Sequence, residues 1–338
     1  MDGDWTGGFS VAALWLAARD GTGRRRDAVE AMRRLAPALD STSAFRGFLF
    51  QHGAALGDVL LQDAEAAELA VTAARRLAAG AHPVTGVIPL GEPGLVPEGC
   101  QDEVAYVDAV GPTVSLLAHA ADRSGDDGLR DLAGRLALWT LDALVRPDGS
   151  MGQAVTYDRR SGEVLATYTA EQGLRPGSTW ARSPAWGLLA AGSAALRCPA
   201  VADTARAHGR AIADWWIARC GDAGWVPRWD FDAPVGDPLD TSAAAIAAAG
   251  LLRMASAEDG VPDGAAAVYR EAAAATLEHL LAWVTPTSPR DPRTAGMLTG
   301  GCYHRPHGLA VGAELVWGDY YLLESLLISL AELDVNRL

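Results

Sequence analysis

The 338-residue sequence predicts an all-α fold closed into a helical toroid. Three observations point there: apolar residues recur at helical spacing in sequential pairs of segments, strand signals are nearly absent, and long loops fall after every second helix. A superhelical solenoid, the competing arrangement of paired helices, tends to have short and similar linkers. The loops at 81–103, 147–177, 221–238 and 285–314 are long, and they carry most of the glycine and proline. Loops of that length in a compact domain are usually functional, so one mouth of the toroid is the expected ligand face.

The first helical pair is read from Phe9, Ala12, Leu14, Trp15 and Leu16, followed by Val29, Met32, Leu35 and Leu39. The pattern recurs as 45–61 with 63–79, 107–121 with 128–145, 179–195 with 200–220, and 241–255 with 265–284. A last helix covers 318–333. The one strand feature expected is a hairpin over 156–164, where Tyr157-Asp-Arg-Arg-Ser-Gly162 supplies turn residues. No linker or like-charge run divides the chain, so residues 1–338 are read as a single domain.

Composition excludes several function classes. The formal charge of −14 argues against nucleic acid, whose phosphates need a basic face. All 28 basic residues are arginine, so a Schiff-base lysine, a pyridoxal-phosphate anchor and a P-loop lysine are unavailable. No dinucleotide fingerprint is present, and no cofactor is expected. The four cysteines, Cys100, Cys198, Cys220 and Cys302, lack C-x-x-C spacing, and the start has no secretory pattern, which predicts a reduced, cytoplasmic protein. Apolar runs such as 243–252 are too short to span a bilayer. His304 and His307, with Cys302 nearby, fit no common zinc spacing, and no metal is expected.

The stretch Gly177-Ser-Thr-Trp-Ala-Arg-Ser-Pro-Ala-Trp-Gly187 gathers two indoles and a guanidinium at a helix start. Ser178 and Thr179 are expected to cap this helix, with Pro184 in its first turn. Trp180 and Trp186 then form a stacking wall with Arg182 near the rim, suited to a flat, sugar-like or polycyclic oxygenated ligand. The same residue types also fit two core tryptophans and an outer charge.

Three more stretches, Trp229-Asp-Phe-Asp-Ala-Pro234, Asp240-Thr-Ser-Ala-Ala-Ala-Ile-Ala-Ala248 and Trp317-Gly-Asp-Tyr-Tyr-Leu-Leu-Glu324, follow in order after Trp5-Thr-Gly-Gly-Phe9 and the 180–186 segment. Together they resemble the unsaturated glucuronyl hydrolases, with relatives that act on unsaturated rhamnogalacturonides. The resemblance runs from about residue 4 to the C-terminus. It implies an (α/α)6 barrel, and the chain starts where the family already has one helix behind it, leaving eleven helices visible. A missing first helix predicts an exposed apolar flank near Trp5 and Trp15, and a homodimer that covers it.

The resemblance also implies a reaction. In that family an aspartate protonates the C4=C5 double bond of an unsaturated uronic acid, water adds at C5, and the hemiketal collapses. The family's Ile-Asp-Cys motif falls on Val107-Asp108-Ala109, so Asp108 is the expected proton donor; read alone, Asp108 is either a helix N-cap or a buried acid. A second family aspartate aligns with Phe45, a family histidine with Gln153, and an asparagine with Pro112. A Gln-Gly step survives as Gln172-Gly173, although the acidic residue after it becomes Pro176. Trp229 and Tyr303 complete the expected pocket lining. With one carboxylate, ordinary two-carboxylate glycosidase chemistry is ruled out, whereas vinyl-ether hydration needs one acid that then serves as base. Two other classes stay open: a repurposed cyclase, isomerase or dehydratase of natural-product biosynthesis using Asp108, and a non-catalytic binder of a sugar-like molecule.

Overall fold

The computed structural model describes residues 5–19, 21, 24–91, 103–168, 172–262 and 264–338. Cys100 and parts of the loops at 81–103 and 147–177 lie outside the described residues. Eleven helices are present among those described. The inner set comprises α1 (Gly7–Ala18), the continuous run α3 (Arg46–Phe50) through a π turn (Gln51–Ala55) into α4 (Leu56–Leu61), α6 (Val110–Ser124), α8 (Arg182–Arg197), α10 (Thr241–Ala257) and α12 (Val316–Ser329). Each touches the next, and α12 returns to α1, so the ring of six is closed. The outer set is α2 (Arg25–Arg33), α5 (Ala64–Ala79), α7 (Asp127–Leu144), α9 (Ala202–Cys220) and α11 (Ala266–Leu281).

Sequence pattern explains which helix goes where. The outer α5 buries Ala66, Ala67, Ala70, Ala73, Ala74 and Leu77, one stripe at helical period, while its charged residues face out. The inner α10 is buried from Thr241 to Ala255 and is nearly all alanine at its centre, because helices pressed on all sides must be slender. Gly250 takes this furthest: a Cβ there would stand 2.7 Å from Leu188 Cβ and 2.9 Å from its backbone. Aspartates start three of the helices, Asp63 accepting from Ala66 N, Asp126 from Gly128 N and Asp240 from Ser242 N.

The expected hairpin is present as β2 (Ala154–Tyr157) and β3 (Val164–Tyr168), joined by a third antiparallel strand, β1 (Glu103–Tyr106). A second hairpin, β4 (Gly301–His304) with β5 (Leu309–Ala313), was not expected. Its strands are short and lie in a loop whose glycines and prolines hide the alternation. No single helix among the described residues is long and apolar enough to cross a membrane.

Two expectations need correction. Trp15 is not on an exposed flank: it is shut from solvent, its Nε1 donates to Gly53 O at 2.9 Å, and its ring lies where a side chain on Gly57 would be. Trp5 is half-buried against other aromatic rings. Ser178 and Thr179 do not cap α8, which begins after Ala181 without a side-chain cap. Ser178 Oγ instead donates to Asp230, and Thr179 Oγ1 accepts from Arg146. Pro184 does sit in the first turn.

Candidate active site

Asp108 stands at the junction of β1 and α6. The β1–β2 ladder pairs Tyr106 with Ala154, and Val107 N extends it to Gln153 O at 3.0 Å, so Asp108 emerges beside Gln153. Helix α6 begins after Ala109 with no side-chain cap, which sets aside the N-cap reading of Asp108. Gln153 hydrogen-bonds the carboxylate, while Oδ2 is buried and has no partner among the described residues. Burial pushes the carboxyl from 3.8 up to about 6, and the Arg182 charge and the Gln153 hydrogen bond work against that rise. An acid poised there can hold a proton near neutral pH and also release it.

Gln153 Nε2 also donates to Gln172 Oε1 at 2.9 Å, and Gln172 Nε2 donates to Tyr303 O at 3.1 Å. A line of amides thus runs from the β1–α6 junction across β2 to β4. It brings Asp108, Gln153, Gln172 and Tyr303 together, four residues scattered over nearly two hundred positions of sequence.

Arg182 is placed differently from its expected position at the rim. It is 2% exposed, with Nη1 donating to Asp240 Oδ2 at 3.0 Å and to Cys302 O at 2.8 Å, and Nη2 to Tyr303 O at 2.7 Å. Its guanidinium lies 4.3 Å from the ring centroid of Trp180. Trp180, Trp186 and Trp229 are all closed to solvent, so the expected stacking wall is turned inward here. The physical reason is the buried Asp240, which draws the guanidinium down over the first indole. Trp229 spends its N–H on Asp237, and Trp186 packs edge-on against Phe48 and Tyr321.

The half-open aromatic faces are others. Tyr303 meets Trp317 at 5.6 Å, Trp317 meets Trp5 at 5.0 Å, and Trp5 meets Phe45 at 6.0 Å and Phe48 at 5.1 Å. Of these, Trp5, Phe45 and Tyr303 are partly exposed. Phe45 precedes α3, whose Gly47 abuts Thr113 and the Ala109 carbonyl at the start of α6, so this aromatic arc ends near Asp108. Trp5, Phe48 and Trp317 were not singled out from sequence as lining residues, although Trp5 and Trp317 head two of the recognised motifs.

Two buried aspartates hold the loops. Asp230 accepts from Leu174 N, Ser178 Oγ and Asp232 N, pinning the segment that carries Gln172. Asp240 accepts from Ser242, Cys302 N and Arg182, tying α10 to β4. Cys302 is buried, whereas His304 and His307 stack at 4.0 Å beside the exposed hairpin tip, so the three do not converge. The described residues contain no group of three or more His, Cys, Asp and Glu that could hold a metal ion.

A closed inner ring of six helices with outer partners, and an acid raised by burial near an aromatic arc, define a six-hairpin barrel of the glycoside hydrolase type. The chain belongs to the unsaturated glucuronyl hydrolase family: it is 31% identical over 335 residues to the unsaturated glucuronyl hydrolase of Bacillus sp. (strain GL1), covering 96% of this chain and 85% of that protein. It is 25% identical to the unsaturated chondroitin disaccharide hydrolase of Streptococcus agalactiae serotype III, over 96% of this chain and 81% of the relative. The solved structure of unsaturated glucuronyl hydrolase responsible for the degradation of glycosaminoglycan, from Bacillus sp. GL1, superposes with a TM-score of 0.81 at 28% identity. It covers 97% of this chain and 86% of that one. An unsaturated glucuronyl hydrolase specific for heparin gives 0.86 at 23% identity, over 98% and 88%, a likeness of fold. No family model matches the chain. As a member of this family the protein is a hydrolase.

Proposed function

We propose that the protein hydrates the C4=C5 double bond of an unsaturated uronic acid at the end of a short oligosaccharide, with Asp108 as the proton donor. The observation that carries this reading is the state of Asp108: a carboxyl raised to about 6 by burial, oriented by Gln153, with one oxygen uncommitted. The other buried carboxylates near the mouth, Asp230 and Asp240, have both oxygens engaged. A two-carboxylate glycosidase mechanism lacks its second member, whereas hydration of a vinyl ether needs one.

In the proposed sequence Asp108 gives its proton to C4, charge develops at C5 and the ring oxygen, and water adds at C5. The resulting Asp108 carboxylate takes a proton from that water. The C5 hemiketal then opens, the ring becomes a keto sugar, and the remaining saccharide leaves as an alcohol. Trp5, Phe45 and Tyr303 offer faces to the apolar side of the sugar ring, and Gln153 and Gln172 hold Asp108 in register. The three described cysteines are free and buried, in keeping with a cytoplasmic site of action on imported oligosaccharide.

Loss of absorbance of an unsaturated uronide disaccharide tests this directly. Wild type is expected to bleach the substrate, and Asp108→Asn to lose at least about a thousandfold in kcat, the usual scale for removing the general acid or more. An Asp108→Asn variant as active as wild type would falsify the assignment.

A further inference from the structure

Five outer helices serve six inner ones. Helix α5 packs on the α3–α4 run and α6, α7 on α6 and α8, α9 on α8 and α10, and α11 on α10 and α12, while α2 packs on α1. The sector between α12 and α1 has no outer helix among the described residues, and its surface shows the consequence. On α12, Leu323 is 40% and Leu330 67% exposed, with Leu326 and Leu327 half-buried between them. These four leucines are spaced i, i+3, i+4, i+7, the stripe a helix presents to another helix. On α1, Ala13 is exposed and Leu14 half-buried, facing the same groove by the same spacing from Ser10.

We infer that this groove is the interface of a two-fold homodimer, in which α12 of one copy lies antiparallel against α12 of the other, flanked by both α1 helices. The occupant is a second copy for two reasons. The stripe is self-complementary, leucine meeting leucine at coiled-coil spacing, and a two-fold axis requires the same patch on both sides. Charge points the same way. The chain carries −14, so two copies repel almost everywhere, yet α12 holds only Asp319 and Glu324 as charged residues. Asp319 is turned to Leu298 N, and Glu324 is buried on Arg253 and Tyr320. The stripe itself is uncharged. A 14-residue helix is about 21 Å long, and with α1 about 10 Å away the face is small for an interface, so the dimer is of micromolar rather than nanomolar strength.

Sedimentation across a concentration series decides it. Wild type is expected to pass from monomer to dimer between about 1 and 100 μM, and added salt tightens the dimer by screening like charge. Leu323→Glu combined with Leu330→Glu, both on exposed positions, should stay monomeric with an unchanged circular dichroism spectrum. Leu165→Glu, on the exposed strand β3, should leave the dimer intact. Leu327→Cys, midway along the stripe and near the two-fold axis, should give a disulfide-linked dimer on mild oxidation. A wild type that is monomeric throughout assigns the groove to a different partner and overturns the inference. So does a dimer that survives the double glutamate variant, one that Leu165→Glu dissolves, or one that Leu327→Cys fails to cross-link.

Discussion

Gln153 Nε2 donates to Gln172 Oε1 across 2.9 Å while the same side chain holds the carboxylate of Asp108. One amide therefore links the proton donor to the loop that Asp230 fastens. Because a hydrogen bond to the charged form lowers a carboxyl's pKa, Gln153 restrains a rise that burial drives.

Replacing Gln153 by Ala should move the alkaline limb of the kcat/KM profile upward from its place near 6, since the opposing hydrogen bond is gone. Activity should fall about tenfold to a hundredfold through misorientation of Asp108. A pH–rate profile of the variant checks both, and an unchanged or lowered limb counts against the role given to Gln153.

Asp108 also makes a statement about stability. Its folded-state value of about 6 lies above the unfolded 3.8, so between these pH values the folded protein binds the extra proton. Stability therefore falls as pH rises from about 4 to about 6 and stays lower above. The gap is worth at most about 3 kcal/mol by linkage, and roughly 1–2 kcal/mol after allowing for the partial exposure of Asp108. Asp108→Asn removes this cost, so its Tm should exceed that of wild type at pH 7.5 and match it at pH 4. Calorimetry at the two pH values is the measurement.

Much of the fold was legible because helices declare themselves by period. All eleven helices and the 156–164 hairpin follow from apolar spacing and turn residues. The π turn at Gln51–Ala55 and the β4–β5 hairpin did not, since neither has a period long enough to read. At the site, Asp108 was found from a motif, but the orientation of the tryptophans was not. Trp180 and Trp5 are the same residue type in equally aromatic motifs. Only the buried Asp240, 60 residues from Trp180, decides that one ring is covered by Arg182. Likewise the apolar flank expected near Trp15 lies instead on α12, because Gly53 and Gly57 open a slot that swallows the indole.

The Arg182–Asp240 pair is shut from solvent on both sides, with side chains 2% and 0% exposed. Removing one partner of such a pair strands the other charge, so Arg182→Met should destabilise by about 3–5 kcal/mol in urea unfolding. Asp240→Asn alone should cost a similar amount, although it keeps part of the capping role toward Ser242. The double variant should cost less than the sum of the two, the signature of direct coupling. Additive costs would show that the two side chains act independently.

Two tryptophans should respond differently to truncation. Trp180 is 1% exposed beneath Arg182, so Trp180→Ala leaves a cavity and a guanidinium without its ring, at about 3–5 kcal/mol of stability. Trp5 is partly open at the mouth, between Phe45 and Trp317, and any sugar ring reaching Asp108 passes this arc. Trp5→Ala should therefore raise KM for an unsaturated uronide by about tenfold to a hundredfold, about 1.4–2.8 kcal/mol of lost stacking, with kcat within about threefold of wild type. Steady-state kinetics and thermal melts on both variants separate the roles. If Trp180→Ala melts like wild type while raising KM, the inward indole lines the substrate site after all, and the arc from Trp5 to Tyr303 is not the binding face.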